Sequence, residues 1–102
     1  MMMQRIVFAS DLDNTLLFSW KHALETDLCV EYLEGKPRGY LTQDAPRSLE
    51  QIMRHALFVP VTSRSMEQYR RIQFPDACLP RYAVTTNGAI LLVDGEIDRQ
   101  WH

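Results

Sequence analysis

The chain has 102 residues, of which 46% are hydrophobic and 24% are charged, and this composition suits one small globular domain or part of a larger one. Its 11 Lys and Arg against 13 Asp and Glu give a net charge of -2, which offers no electrostatic case for binding nucleic acid or an anionic membrane. The apolar run near the amino terminus is too short for a signal peptide or a membrane span. Cys29 and Cys78 have no metal-ligand spacing, and although two cysteines leave a disulfide open, we expect a reduced, cytoplasmic protein.

The first predicted element is a strand that ends in acidic residues. Ile6–Ala9 is a continuous apolar run, which is typical of a strand buried on both faces. Asp11 and Asp13 follow it, with Thr15 two residues later, at the end of the strand where open α/β sheets bind their ligands. Two carboxylates this close favour a bound cation or a proton on one of them. A simple turn would also use Asp here, since Asp hydrogen-bonds its own backbone.

A β-hairpin is predicted next, over residues 28–42. Leu28–Leu33 and Arg38–Thr42 fit two strands, and Glu34–Pro37 fits the turn between them. We expect residues 16–27 to form a turn of helix followed by a loop. The aromatic residues of this region are interpreted as packing rather than as substrate contacts.

A helix and a second buried strand complete a predicted parallel βαβ unit. Ser48 opens the helix, because Ser48 and Gln51 have the spacing of a capping box. Phe58–Ser63 then fits a strand parallel to the first. Thr62 is therefore expected at the same edge of the sheet as Asp11.

The rest of the chain supplies a second helix, a third strand and a hairpin. Ser65 repeats the capping-box spacing with Gln68, and Pro75 ends that helix. Tyr82–Thr86 fits a third parallel strand. A hairpin over residues 89–100 follows, because Asp94 and Gly95 separate two strand-like runs.

The acidic segment resembles the first motif of the haloacid dehalogenase-like (HAD) superfamily, D-x-D-x-T after a hydrophobic strand, through Asp11, Asp13 and Thr15. The resemblance implies an α/β fold with a Rossmann-like parallel sheet, flanking helices and a hairpin flap at residues 28–42. It implies that Asp11 is the nucleophile attacking phosphorus and Asp13 the general acid and base, with both residues holding Mg²⁺. Such attack depends on positioning and charge neutralisation more than on basicity.

Two later segments extend the resemblance. Thr62-Ser63-Arg64 is similar to the T-G-R of the family's Cof-type phosphatases, and Asn87-Gly88-Ala89 is similar to an N-G-A that leads toward a cap domain in Cof-type and sucrose-phosphatase-like members. For Arg64, a surface salt bridge is an equally good interpretation. For Asn87, the alternative is that Asn87-Gly88 forms only a turn. The implied phosphate-binding residues are Thr15, Thr62, Ser63, Arg64, Asn87 and Gly88.

The resemblance covers only the early motifs of the family. Nothing after Gly88 supplies its later Lys and acidic metal ligands. Residues 1–102 therefore look like the N-terminal part of a HAD-like core, with residues 89–100 leading toward a cap and the remainder of the core as a partner. We expect little or no turnover from these residues alone.

The implied function is a Mg²⁺-dependent phosphohydrolase that acts on a small phosphorylated metabolite through an aspartyl-phosphate. A phosphotransferase or mutase of the same family is an alternative, as is a non-catalytic fragment that binds phosphate, metal or a partner chain. A signalling receiver domain fits less well, because its acceptor Asp ends a later strand, where this chain has Thr62 and Thr86.

Overall fold

The computed structural model describes residues 6–98, apart from the side chain of His22, as a mixed α/β chain with two sheets and two helices. Residues 1–5 and the last two residues of the predicted 89–100 hairpin, Arg99 and Gln100, lie outside the described range. The elements in chain order are β1 (Val7–Asp11), β2 (Leu17–Ser19), β3 (Leu28–Leu33), β4 (Lys36–Leu41), α1 (Ala45–Met53), β5 (Leu57–Val61), α2 (Met66–Arg70), β6 (Tyr82–Thr85), β7 (Ile90–Val93) and β8 (Glu96–Ile97).

The larger sheet has the strand order β1-β5-β6-β7-β8. Its first three strands, β1, β5 and β6, run parallel to one another, whereas β7 is antiparallel to β6 and β8 is antiparallel to β7. The predicted α/β class is confirmed, with a sheet of mixed rather than uniformly parallel strands. Because β1, β5 and β6 are parallel, their carboxyl ends share one edge, and the candidate site lies at that edge.

The predicted burial of the first strand on both faces is wrong. Ile6 and Val7 are 60% and 58% exposed, and Phe8 is 39% exposed. The physical reason is position: β1 is the end strand of the sheet and pairs only with β5 among the described residues. An apolar run is buried on both faces only where other elements cover both faces.

The smaller sheet, β2-β4-β3, contains the predicted hairpin. Its turn is Glu34-Gly35, and both residues have positive φ, as a tight hairpin turn requires. The prediction of a helical turn and loop for residues 16–27 is wrong at its start. There Leu17–Ser19 forms β2 against β4, and Leu17 is buried. A short 3-10 turn at Trp20–His22 follows.

The two helices differ in how well their starts were predicted. Ser65 caps α2 as expected: its hydroxyl accepts from the Gln68 N–H at 3.2 Å, and the Gln68 side chain accepts from the Ser65 N–H at 2.9 Å. Helix α1 begins at Ala45 rather than Ser48, since Pro46 suits the first turn of a helix. Helix α2 ends at Arg70, well before Pro75.

One hydrophobic core joins the two sheets and the helices. Its buried apolar residues are Leu12, Leu17, Val30, Leu41, Leu49, Phe58, Tyr69, Ile72, Phe74, Cys78, Ala83 and Leu92. The smaller sheet is therefore fixed against the larger one, and this contact positions the residues that line the site.

No helix within residues 6–98 is long and apolar enough to cross a membrane. Cys29 and Cys78 are free thiols.

Candidate functional site

A hollow of about 280 Å³ opens where β1 and β5 end. Five of the eight predicted site residues line it, and Asp11 and Thr62 reach it from different strands. Thr15, Arg64 and Gly88 do not line it. The lining residues are Asp11, Leu12, Asp13, Val61, Thr62, Ser63 and Asn87.

A tight turn after β1 presents the two carboxylates. The buried Leu12 anchors this turn, because its carbonyl accepts from the N–H groups of Leu16 and Leu17, both at 2.9 Å. Asn14 has a φ of 64°, a left-handed conformation that Asn adopts more readily than most residues. Asp11 and Asp13 on either side of Leu12 are thereby exposed toward the hollow. Thr15 lies in the turn itself, exposed.

A second turn, after β6, brings Asn87 to the hollow. Thr86, Asn87 and Gly88 all have positive φ, and for the β-branched Thr86 this conformation is an outlier that costs about 1–3 kcal/mol. Hydrogen bonds hold the turn against β5 and its following loop: the Thr86 N–H donates to the Arg64 carbonyl at 2.7 Å and the Asn87 N–H to the Thr62 carbonyl at 3.2 Å.

Thr62 is the buried hydroxyl of the site, 6% exposed. Its Oγ1 donates to Asp13 Oδ2 at 3.3 Å and accepts from the Arg64 N–H at 3.1 Å. A hydroxyl has a single proton. Thr62 can therefore donate to a phosphate oxygen only when that proton turns away from Asp13.

Arg64 binds carboxylates instead of lining the hollow. Its Nε donates to both Asp13 oxygens, at 3.1 and 3.0 Å, and its Nη2 donates to Asp13 Oδ1 at 2.9 Å. On its other side, Nη1 donates to Glu31 Oε2 at 2.6 Å and Nη2 to Glu31 Oε1 at 3.0 Å. Of the two interpretations of Arg64 from the sequence, the structure places it in ion pairs, and its side chain is only 16% exposed.

The charge of Arg64 is secured by these partners. Burial by itself would lower the pKa of Arg64, but the hydrogen bonds to Glu31 and Asp13 outweigh it and raise the pKa above its ordinary value. The guanidinium is therefore a cation throughout the physiological pH range.

Glu31 is a site residue that sequence reasoning missed. It lies on β3, is 3% exposed, and also accepts from Arg71 Nε at 3.2 Å. The pairing of β3 with β4 shifts register on both sides of Glu31, and such bulges re-aim a side chain. Gly39 on β4 leaves the room, since a Cβ there would lie 2.7 Å from Glu31 Oε1. A glycine inside a strand was the available signal, because it marks a close approach.

Gly39→Ala tests this packing. The added methyl would meet Glu31 and the Leu17 side chain, so we expect a loss of about 1–3 kcal/mol in unfolding free energy. Urea denaturation measures it. In a Glu31→Ala background the nearest atom is gone, and the same substitution should cost less. Equal costs in the two backgrounds would contradict the assigned contact.

The two acidic residues have different surroundings. The Asp13 oxygens accept from three donors, Thr62 Oγ1 and the Nε and Nη2 of Arg64, whereas a carboxylate offers about four lone-pair sites. Asp11 is exposed and forms no ion pair with any residue of the described range. Asp11 is therefore the carboxylate that is free to bind a cation or to react.

The donor set suits one kind of metal. Within residues 6–98 no three His, Cys, Asp or Glu side chains lie close enough to hold an ion by themselves. Mg²⁺ keeps several waters and is usually bound by one or two carboxylates together with substrate phosphates. The free Asp11 carboxylate in an oxygen-lined hollow fits that mode.

Comparison of the sequence with models of known protein families found no match, and comparison with curated proteins found none either. A free carboxylate, a second carboxylate held in place, two hydroxyls and an amide surround a hollow large enough for a phosphoryl group. This set can bind an anion through Thr62, Ser63 and Asn87 while presenting a nucleophile to it.

Proposed function

We propose that this chain carries the site of a Mg²⁺-dependent phosphohydrolase, cytoplasmic and built on a Rossmann-like HAD core. It acts on a small phosphorylated metabolite through an aspartyl-phosphate on Asp11. The observation that supports this most is the free Asp11 carboxylate facing the same hollow as Thr62. Thr62 comes from a neighbouring parallel strand, and the similarity to the HAD motifs gives both residues a role.

The reaction has two steps. An Asp11 oxygen attacks phosphorus and forms a carboxyl–phosphate bond, while the bond to the leaving oxygen breaks and that oxygen takes a proton from Asp13. A water molecule then attacks the phosphorus, gives its proton to Asp13, and releases phosphate and the Asp11 carboxylate. Asp13 ends each cycle as it began.

The remaining residues bind the phosphoryl group. The hydroxyls of Thr62 and Ser63 and the amide of Asn87 donate to its oxygens. When bound, Mg²⁺ would be held by Asp11 and Asp13, and it would offset the charge on the phosphoryl oxygens. Arg64 donates to the carboxylate of Asp13 and is not a phosphate ligand in this proposal.

A non-catalytic site that binds phosphate is the second candidate, and one observation favours it. Among the residues described, no free cation lines the hollow, because Arg64 is bound by Asp13 and Glu31. A phosphoryl group in transfer carries negative charge that a nearby cation would offset.

A phosphotransferase or mutase would use the same first step of the reaction, with an acceptor other than water in the second step.

Calorimetry with Mg²⁺ and beryllofluoride, a mimic of the phosphoryl group on a carboxylate, tests the proposal without requiring turnover. We expect saturable uptake of one beryllofluoride per chain only when Mg²⁺ is present. Vanadate should compete with it. Absence of any uptake in the presence of Mg²⁺ would overturn the enzymatic proposal and its phosphotransferase variant, and would leave the non-catalytic alternative. Mg²⁺-dependent hydrolysis of p-nitrophenyl phosphate would show in addition that residues 1–102 turn over by themselves.

A further inference from the structure

We infer that Glu31 and Arg64 are positioning residues for Asp13, and that they carry the orientation of the flap hairpin, β3–β4, into the site. Arg64 holds the Asp13 carboxylate, and Glu31 holds Arg64 from behind. The role of Asp13 in proton transfer rests on the proposed function. The positioning itself rests on contacts that involve no ligand.

Arg64 uses all of its hydrogen-bond donors on groups of the protein. A guanidinium has five N–H donors. Nε donates to Asp13, Nη2 to Asp13 and Glu31, and Nη1 to Glu31 and the Gln68 carbonyl, the last at 3.1 Å. All five donors are engaged, so Arg64 has none left for a phosphate. Its planar fork fixes the directions of the two carboxylates relative to each other.

Glu31 is a buried carboxylate that pairs with two arginines. A carboxylate that is 3% exposed must be compensated by charge and hydrogen bonds. Arg64 and Arg71 provide both, and with Asp13 the four side chains sum to zero charge. A buried polar network whose hydrogen bonds are all made is rigid. Displacing Glu31 therefore disturbs Arg64, and through Arg64 the carboxylate of Asp13.

Backbone contacts attach Glu31 and its neighbour Val30 to the segment after α2. The neighbouring Val30 carbonyl accepts from the Gln73 N–H at 2.6 Å, which ties β3 to the segment after α2. Glu31 itself forms an isolated antiparallel bridge with Ile72. The bulge at Glu31 and the absence of a side chain at Gly39 aim its carboxylate inward. The hairpin is thereby connected to Asp13 through two ion pairs.

The test follows the carboxyl carbon signal of Asp13 by NMR in protein with ¹³C-labelled aspartate, assigned with Asp13→Asn. Glu31→Gln should shift this signal although Glu31 does not touch Asp13, and Arg64→Lys should shift it further. The matched control is Arg70→Lys, since Arg70 donates to the Gly95 carbonyl away from the hollow, and it should leave the signal in place. If Glu31→Gln does not fold, Glu31→Asp, which keeps the charge and shortens the reach, replaces it. An unmoved Asp13 signal in the Glu31 variant would overturn the inference.

A second readout separates positioning from phosphate binding. Arg64→Lys should weaken the uptake of beryllofluoride with Mg²⁺ only through Asp13, so in an Asp13→Asn background the same substitution should change the affinity by less than about threefold, whereas loss of a direct contact between the guanidinium and phosphate would weaken it by about tenfold or more in either background. A tenfold loss in the Asp13→Asn background would overturn the positioning role. If the unaltered protein takes up no beryllofluoride, the proposed function fails, and the Asp13 signal still decides the inference.

Discussion

Replacing Asp11 with asparagine is expected to abolish the uptake of beryllofluoride. The mimic bonds to a carboxylate oxygen, and an amide oxygen carries no charge to offer it. Asp11 is also the one carboxylate of the hollow that is free of ion pairs among the described residues, so no neighbour can take over its role. Any hydrolysis of p-nitrophenyl phosphate should fall by about 10³-fold or more, as when other enzymes lose their nucleophile.

Asp44→Asn is the matched control for this experiment. Asp44 is an exposed aspartate that precedes α1 and makes no side-chain capping hydrogen bond. Its conversion to asparagine removes the same charge and should leave uptake unchanged. Uptake that survives in Asp11→Asn with the affinity of the unaltered protein would remove Asp11 as the nucleophile. Equal losses in both variants would point to net charge instead.

Glu31→Ala is expected to produce the largest loss of stability among single substitutions near the site. Removing one partner of a buried ion pair costs about 3–5 kcal/mol, because the other charge stays buried without compensation. Here the change leaves Arg64 without one of its two carboxylates and Arg71 without the one it binds. Urea denaturation followed by circular dichroism measures the difference.

Glu50→Ala supplies the comparison, since Glu50 pairs with Arg54 on the surface of α1 at 3.5 Å and both side chains are well exposed. Such pairs contribute about 0.3–0.5 kcal/mol. The contrast between the two glutamates should therefore be several-fold. Similar losses for both would mean that the Glu31 network is open to solvent.

Features of the fold that depend only on residues close together in the sequence could be predicted. The Ser65–Gln68 capping box is set within a few residues, and the structure contains it. The turn predicted at Glu34–Pro37 is present but shorter, since β4 already begins at Lys36. The ends of the first two parallel strands could be predicted to within two residues, because apolar runs give way to polar residues there: β1 ends at Asp11 and β5 at Val61. These features position most of the hollow.

Contacts between distant segments could not be predicted in this way. Glu31 and Arg64 are 33 residues apart and Asp13 and Arg64 are 51 apart, so no periodicity connects them. The bulge at Glu31 breaks the alternation by which strand residues are assigned to a face. Whether the apolar residues of β1 are covered depends on which elements lie beside it, and that is a property of the whole fold.

Among residues 6–98 only β5 pairs with β1, and this has a consequence for the behaviour of the protein in solution. An end strand presents a row of backbone donors and acceptors to any extended chain that meets it. The side chains of Val7 and Phe8 on β1 are both exposed. Val7–Asp11 contains no lysine or proline, the residues that discourage an end strand from pairing with another chain. Such an edge favours pairing between molecules at high concentration, and a charged residue in place of Val7 would disfavour it.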